Sequence, residues 1–117
     1  MKTCVCTRTK YAIDTQHTHS YLKQHASVLR ILSRGYAATT LHWHGVDQKQ
    51  TFYMDGVPSI TQCAIGPQDY FDYRFKAEPV GTHWYHSHHG AQRSDGMYGA
   101  FIVLPRTAPA SSTSKWM

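Results

Sequence analysis

The stretch that decides the fold is Asp69-Tyr70-Phe71-Asp72-Tyr73-Arg74-Phe75-Lys76, in which aromatic and charged side chains alternate. Successive side chains of a β-strand point to opposite faces of the sheet, so the aromatic residues at 71, 73 and 75 share one face. The charged residues at 72, 74 and 76 share the other face. This alternation predicts a strand with one buried face and one solvent-exposed face.

Further short strands are predicted on both sides of this stretch. Residues 28–33, 36–44, 60–65, 81–88 and 99–104 are rich in β-branched, aromatic or apolar side chains. Turn-forming residues separate them, including Met54-Asp55-Gly56-Val57-Pro58 and Gly66-Pro67. Short strands at regular spacing predict an all-β fold, an antiparallel β-sandwich or barrel.

Length and charge narrow the functional classes. A chain of 117 residues corresponds to about one domain, and it has no apolar run long enough for a membrane-spanning helix. Residues 1–34 hold six Lys/Arg and one acidic residue, which accounts for the whole net charge of +5. Residues 35–117 hold six charges of each sign. A nucleic-acid-binding surface spreads basic charge over the fold, so that class is excluded.

The same charge distribution predicts three segments. Residues 1–27 are expected to be a basic leader, disordered or foreign to the domain, without the apolar segment of a secretory signal peptide. Residues 28–104 are expected to form the domain. Residues 105–117 are expected to form a flexible tail rich in Pro, Ser and Thr. Three cysteines, an odd number, leave the redox compartment open.

Two histidine pairs predict a metal site. His42 and His44 are separated by one residue, as are His86 and His88. In an extended strand, side chains at i and i+2 lie on the same face about 7 Å apart. Two such pairs on neighbouring strands would place four imidazoles around a small volume, as in a copper or zinc centre.

The remaining histidines fit this pattern less well. His83 and His89 have the opposite strand parity from the second pair, which predicts surface or supporting positions. His17 and His19 repeat the i, i+2 spacing but lack flanking strand residues. Imidazole suits zinc as well as copper, so the type of metal stays open at this level. A zinc hydrolase is disfavoured because the loop after His88 offers only Asp95 as an acid.

Four motifs resemble the first cupredoxin domain of the multicopper oxidases, with a laccase-like character. They are Thr40-Leu41-His42-Trp43-His44-Gly45, residues 54–58, Thr61-Gln62-Cys63, and Gly81-Thr82-His83-Trp84-Tyr85-His86-Ser87-His88. Residues 92–96 and 99–103 extend the resemblance, which covers about residues 28–104. It implies a cupredoxin-like Greek-key sandwich that lacks its first strands. Ascorbate oxidases and ferroxidases share this pattern.

The resemblance also implies roles for individual residues. His42 would bind the type 2 copper, and His44, His86 and His88 would bind the type 3 coppers, with the last two divided between the two type 3 ions. This trinuclear copper cluster reduces dioxygen to water while a phenol-type, diamine or metal substrate is oxidised one electron at a time. The family places an acid near the cluster that assists proton delivery, and its motif corresponds to Asp55. A turn-forming role before Gly56 is the alternative for Asp55.

The chain departs from the family pattern in one major respect. In the family, C-terminal cupredoxin domains supply the other half of the cluster and the type 1 copper that receives electrons, and residues 1–117 contain neither. The sequence therefore predicts a fragment-like copper-binding domain that is inactive alone, which leaves open whether the chain itself is an enzyme. The alternative is a non-catalytic copper- or zinc-binding module. The family is mostly secreted, but the compartment of this chain stays open.

Overall fold

A computed structural model describes residues 4–5, 13–15, 21–23 and 26–105, with side chains from Val28 to Pro105. It contains eight strands and one short 3-10 helix, Phe52–Met54. The strands are β1 Cys4–Val5, β2 Ile13–Thr15, β3 Tyr21–Lys23, β4 Ala26–Ser33, β5 Leu41–His44, β6 Tyr70–Lys76, β7 Gly81–Ser87 and β8 Tyr98–Leu104. The histidines at 17, 19 and 25 and the tail beyond Pro105 lie outside the described residues.

The strands form two four-stranded sheets. One sheet has the order β1-β2-β4-β6 and the other the order β3-β8-β7-β5. All neighbouring strands are antiparallel except β3 and β8, which run parallel. The predicted all-β, mainly antiparallel fold is confirmed. Within the described residues, no helix is long and apolar enough to cross a membrane.

Aromatic side chains fill the space between the two sheets. Trp43 of β5 packs against Tyr73 and Phe75 of β6, with ring centroids 5.2 Å apart in both cases. It also packs against Phe101 of β8 at 5.3 Å. The alternation predicted for residues 69–76 is confirmed, because Tyr73 and Phe75 are buried while Arg74 and Lys76 are exposed. Burying large aromatic surfaces is the main source of stability in a fold of this size.

Two predicted strands are corrected by the structure. Residues 60–65 do not form a strand, because the carbonyl of Val57 accepts N–H bonds from Ile60 and Thr61 and folds the chain into a turn. Ile60 is 82% exposed, so its apolar character does not mark a core position. In the predicted strand 36–44, only Leu41–His44 is a strand, preceded by a bridge between Thr39 and Ile65.

The strands β1, β2 and β3 fall within residues 1–27, which the sequence set apart as a leader. Their backbones pair with the domain, since β2 lies beside β4 and β3 lies beside β8. The family assignment of this stretch and the bounds 1–27, 28–104 and 105–117 stay a prediction, because backbone pairing alone does not define where a domain begins.

Replacing Tyr73 by phenylalanine is expected to lower the free energy of unfolding by about 1–3 kcal/mol. The fully buried Tyr73 hydroxyl accepts the backbone N–H of Leu41 at 3.0 Å, at the start of β5. Burial also raises the pKa of this phenol to about 12. The substitution would leave the Leu41 N–H without its acceptor. Urea denaturation measures the loss, with the exposed Tyr53→Phe as control. Equal losses in both variants would contradict the prediction.

Candidate metal centre

Strands β5 and β7 bring the two histidine motifs together. They are antiparallel neighbours in which His42 lies opposite His86 and His44 lies opposite Trp84. Because side chains alternate, these four residues project from the same face of the sheet, while Trp43 points into the core. The ring centroids of His42 and His86 are 5.3 Å apart.

Three of the four predicted ligands form a compact group. Within the described residues, one ring nitrogen from each of His42, His44 and His86 lies within 4.8 Å of the other two. His44 Nδ1 and His86 Nε2 are 3.4 Å apart. Two imidazole nitrogens that share one ion in tetrahedral geometry are separated by roughly 3.3 Å, given a metal–nitrogen distance of about 2.0–2.1 Å. The side chains therefore have the spacing of a metal site.

The fourth predicted ligand, His88, lies beside this group. It follows the end of β7 and is exposed, and its ring centroid is 5.7 Å from that of His42 and 6.1 Å from that of His86. The backbone N–H of His88 donates to the carbonyl of Thr40 at 3.2 Å. This bond extends the pairing of the two strands by one residue, so His88 stays on the edge of the cluster.

Backbone carbonyls fix which nitrogen of two imidazoles carries the proton. His42 Nδ1 lies 2.8 Å from the carbonyl oxygen of Asp55, and His86 Nδ1 lies 2.9 Å from that of Ser87. A carbonyl oxygen only accepts hydrogen bonds, so both Nδ1 atoms donate and both Nε2 atoms keep a free lone pair. Metal-binding histidines commonly donate the other N–H in this way. The donor set and its supporting hydrogen bonds fit a metal ion.

Burial favours the metal-binding form of His86. Its side chain is almost inaccessible to solvent, and burial lowers the pKa of its imidazole. The hydrogen bond to the Ser87 carbonyl opposes this effect of burial on the pKa, and weaker electrostatic repulsion from His42, Arg93 and His44 adds to it. The neutral imidazole is the form that binds metal ions. His86 therefore presents its lone pair over a wider pH range than an exposed histidine does.

Asp55 lies in a turn and beside a predicted metal ligand. It directly follows the helix Phe52–Met54 and precedes Gly56, whose φ of +79° marks a turn. Its carboxylate Oδ1 also lies 3.2 Å from His42 Nδ1, beside the backbone carbonyl of the same residue. The turn thus brings an acid next to a predicted ligand, while the catalytic role of that acid stays a prediction.

His83 and His89 are not in the group of three. The ring of His83 packs against Gly45, where an added Cβ would lie only 2.7 Å from His83 Nδ1, and its Nε2 contacts the carbonyl of Pro79 at 2.8 Å. His89 uses its backbone N–H to donate to Ser87 Oγ at 3.1 Å. Their surface or supporting roles stay a prediction.

Sequence reasoning missed the polar residues that support the second histidine pair. Ser87, Gln92 and Thr39 are buried and hydrogen-bonded to one another behind the histidines. Neutral hydroxyl and amide side chains carry no sequence signal for metal binding. The position of Ser87 between His86 and His88 was the one usable indication.

Comparisons with known proteins are consistent with this geometry. A family model described as multicopper oxidase matches residues 14–108. The multicopper oxidase MCE of Talaromyces pinophilus is 54% identical over 68 residues, 58% of this chain and 11% of that protein. The L-ascorbate oxidase of Cucumis sativus is 52% identical over 65 residues, 56% of this chain and 11% of that protein.

A solved structure supports the same relationship. The laccase from Botrytis aclada superposes with a TM-score of 0.67 at 29% identity, over 89% of this chain and 21% of that one. It has the cupredoxin fold, so the predicted fold class is confirmed. The chain spans only about a ninth of the length of its curated relatives and holds a histidine cluster that fits copper ligation. The chain belongs to the multicopper oxidase family.

Proposed function

We propose that this laccase-like domain supplies half of the histidine ligands of a trinuclear copper cluster, with His42 on the type 2 ion and His44, His86 and His88 on the type 3 ions. The observation that carries the proposal is the convergence of three imidazoles, with one nitrogen of each within 4.8 Å of the others. Copper suits such a set because imidazole is among its preferred ligands.

The spacing of the nitrogens supports a division of the ligands. His44 Nδ1 and His86 Nε2, 3.4 Å apart, have the separation of two ligands on one ion. His42 directs its free Nε2 from a ring held by Asp55. His88 lies at the edge of the group and is free to serve a neighbouring ion. We therefore propose that His44 and His86 hold one type 3 ion, His88 the other type 3 ion and His42 the type 2 ion.

Asp55 is proposed to assist proton delivery at this centre. Copper bound at the site would supply the one-electron steps that reduce dioxygen to water. The Asp55 carboxylate lies next to His42, with 29% of its side chain accessible to solvent. It can hold a proton at Oδ1 and exchange it with water outside the cluster. Its backbone carbonyl meanwhile keeps the His42 ring in place.

The remaining components of the reaction are proposed to come from outside this chain. C-terminal cupredoxin domains would supply the other cluster ligands and the type 1 copper, and a phenol, diamine or metal ion would supply electrons. Without them, the chain alone is expected to bind copper and to consume no dioxygen. A metal-binding module without redox function has less support, because both curated relatives above are named as oxidases.

The proposal is tested by titrating the full 117-residue chain with Cu(II) and comparing His86→Ala with wild type. Removing a ligand is expected to weaken binding by more than the 10–100-fold that loss of a supporting group costs. Electron paramagnetic resonance during the titration is expected to show nitrogen coordination in wild type. Oxygen uptake with a phenol is measured in parallel and is expected to be zero.

His89→Ala provides a matched control. It removes an imidazole three residues from His86, in a residue whose described hydrogen bonds are both made by its backbone. This variant is expected to bind Cu(II) like wild type. Equal weakening in both variants, or no binding by wild type, would contradict the assignment of the cluster. Oxygen uptake by the chain alone would contradict the proposed dependence on further domains.

A further inference from the structure

Gln92 lies buried behind the second histidine pair and makes three hydrogen bonds with its side chain. Only 4% of its surface is exposed. Its Oε1 accepts from Ser87 Oγ at 2.6 Å and from Thr39 Oγ1 at 2.9 Å. Its Nε2 donates to the carbonyl of Ala38 at 2.8 Å. These partners fix the amide orientation, because only the NH2 group can pair with a carbonyl.

These bonds join the two elements that carry the histidines. Ala38 and Thr39 precede β5, which carries His42 and His44, whereas Ser87 ends β7 between His86 and His88. Ser87 Oγ also accepts the backbone N–H of His89 at 3.1 Å. The backbone on both sides of His88 is therefore anchored through one hydroxyl and one amide.

The chain that carries Gln92 is itself tied to β7. The backbone carbonyl of Gln92 accepts the N–H of Met97 at 3.0 Å, and the carbonyl of Met97 accepts the N–H of Ser87 at 2.9 Å. The amide thus reaches Ser87 from a loop that returns to the same strand. Such a closed network holds its members in one geometry, because each buried polar group loses its partner if another moves.

We propose that Gln92 is a positioning residue of the metal centre, which holds Ser87 so that His86 and His88 face the cluster together. This inference rests on the function proposed above. Gln92 contacts neither imidazole, and it acts through the backbone of the residue between them. His86 depends on that backbone directly, because its Nδ1 donates to the Ser87 carbonyl at 2.9 Å.

The first test uses the metal-free chain. Nitrogen-15 NMR of the imidazoles is expected to show His86 of wild type with its proton on Nδ1. Gln92→Leu is expected to lose this single tautomer, because Ser87 is released. Ser87→Ala is a milder variant that removes the hydroxyl bonded to Gln92. It is also expected to lose the single His86 tautomer. Wild-type tautomers in both variants would overturn the proposal.

Gln48→Leu is the matched control. Gln48 is another buried glutamine, 6% exposed, whose side chain bonds Thr51 and Met54 rather than β7. This variant is expected to lose stability while keeping the His86 tautomer. Loss of the His86 tautomer in the control as well would show that any buried glutamine has this effect, and would overturn the specific role of Gln92.

The second test measures Cu(II) affinity. Gln92→Leu and Ser87→Ala are expected to weaken binding at least about tenfold, the usual effect of losing a group that orients a ligand. Gln48→Leu is expected to change it less than threefold. If wild type binds no Cu(II), the proposed function fails, while the metal-free tautomers still decide the role of Gln92. If wild type and Gln92→Leu bind equally, the positioning role alone fails.

Discussion

Replacing Gly56 by alanine is expected to lower the free energy of unfolding by more than about 4 kcal/mol, beyond the usual range of single substitutions. An added Cβ would lie 1.7 Å from the carbonyl oxygen of Leu41 and 3.0 Å from the backbone nitrogen of His42. Both atoms belong to the backbone of β5, so neither a rotamer change nor a small shift relieves the overlap. The φ of +79° adds a conformational cost that glycine does not have.

The Gly56→Ala substitution is expected to disturb the candidate metal centre as well as the stability of the fold. The loop that holds Gly56 also holds Asp55, whose carbonyl accepts from His42 Nδ1. A loop displaced from β5 breaks this bond and frees the His42 ring. Urea denaturation of the metal-free chain measures the stability, and Cu(II) titration at low denaturant measures the effect on the site.

Gly90→Ala separates the cost of a positive φ from the cost of the overlap with β5. Gly90 also has a positive φ, +55°, but nothing lies within 4 Å of the position of its Cβ. At Gly90 only the conformational cost of placing alanine at a positive φ remains, which is about 1 kcal/mol of unfolding free energy. If Gly56→Ala costs no more than Gly90→Ala, the contact of the loop with β5 is not the constraint described here.

Replacing Trp43 by alanine is expected to lower the free energy of unfolding of the metal-free chain by about 3–5 kcal/mol. Trp43 is 3% exposed and packs against rings from both sheets, so alanine would leave a large cavity at the centre of the core. Thermal and urea denaturation both measure this loss. Domains of this kind are stable by only about 5–15 kcal/mol, so the variant is expected to be partly unfolded at 37 °C.

Trp84→Ala is the informative comparison. Trp84 lies in the motif of the second histidine pair and on the same face of the sheet as the histidines, whereas Trp43 faces the core. Trp84 is half-buried, stacks on His44 at a ring-centroid distance of 4.8 Å and packs at a tilt against His86 at 4.5 Å. Its loss is expected to cost less stability than that of Trp43 and to weaken Cu(II) binding more. A larger loss of stability in Trp84→Ala, together with weaker Cu(II) binding in Trp43→Ala, would contradict the assignment of the two tryptophans to opposite faces.

The period of two in the sequence predicted the core strand β6 and the shared face of the two histidine pairs. The alternation in residues 69–76 identified β6, and strand parity selected His42, His44, His86 and His88 from nine histidines. The structure brings one ring nitrogen of each of the first three within 4.8 Å of the others. The strand prediction was confirmed because a β-strand has a fixed period of two, which the sequence displays directly. The metal-binding role of the histidines stays a prediction. The type of metal came from the resemblance of the motifs, since spacing alone did not distinguish copper from zinc.

Other features could not be predicted, because they depend on contacts between distant parts of the chain. Ile60 looked like a strand residue, and only the hydrogen bonds to Val57 show that it lies in a turn. Gln92 belongs to residues 92–96, which extend the resemblance, but its partners Thr39 and Ala38 are more than fifty positions away and could not be predicted from that motif. Neither hydrogen-bond pattern leaves a local signature in the sequence.

The direct pairing of His42 with His86 has a consequence for how the chain reaches its native state. A slip of one residue between β5 and β7 would turn His42 and His44 into the core and Trp43 out to water, since side chains alternate. A one-residue slip would therefore separate the ring nitrogens of His42, His44 and His86 that the native pairing brings together. Copper at one hundred times its dissociation constant would favour that alignment by about 2.7 kcal/mol. An ion bound as proposed would therefore stabilise the same strand pairing that buries Trp43 in the core.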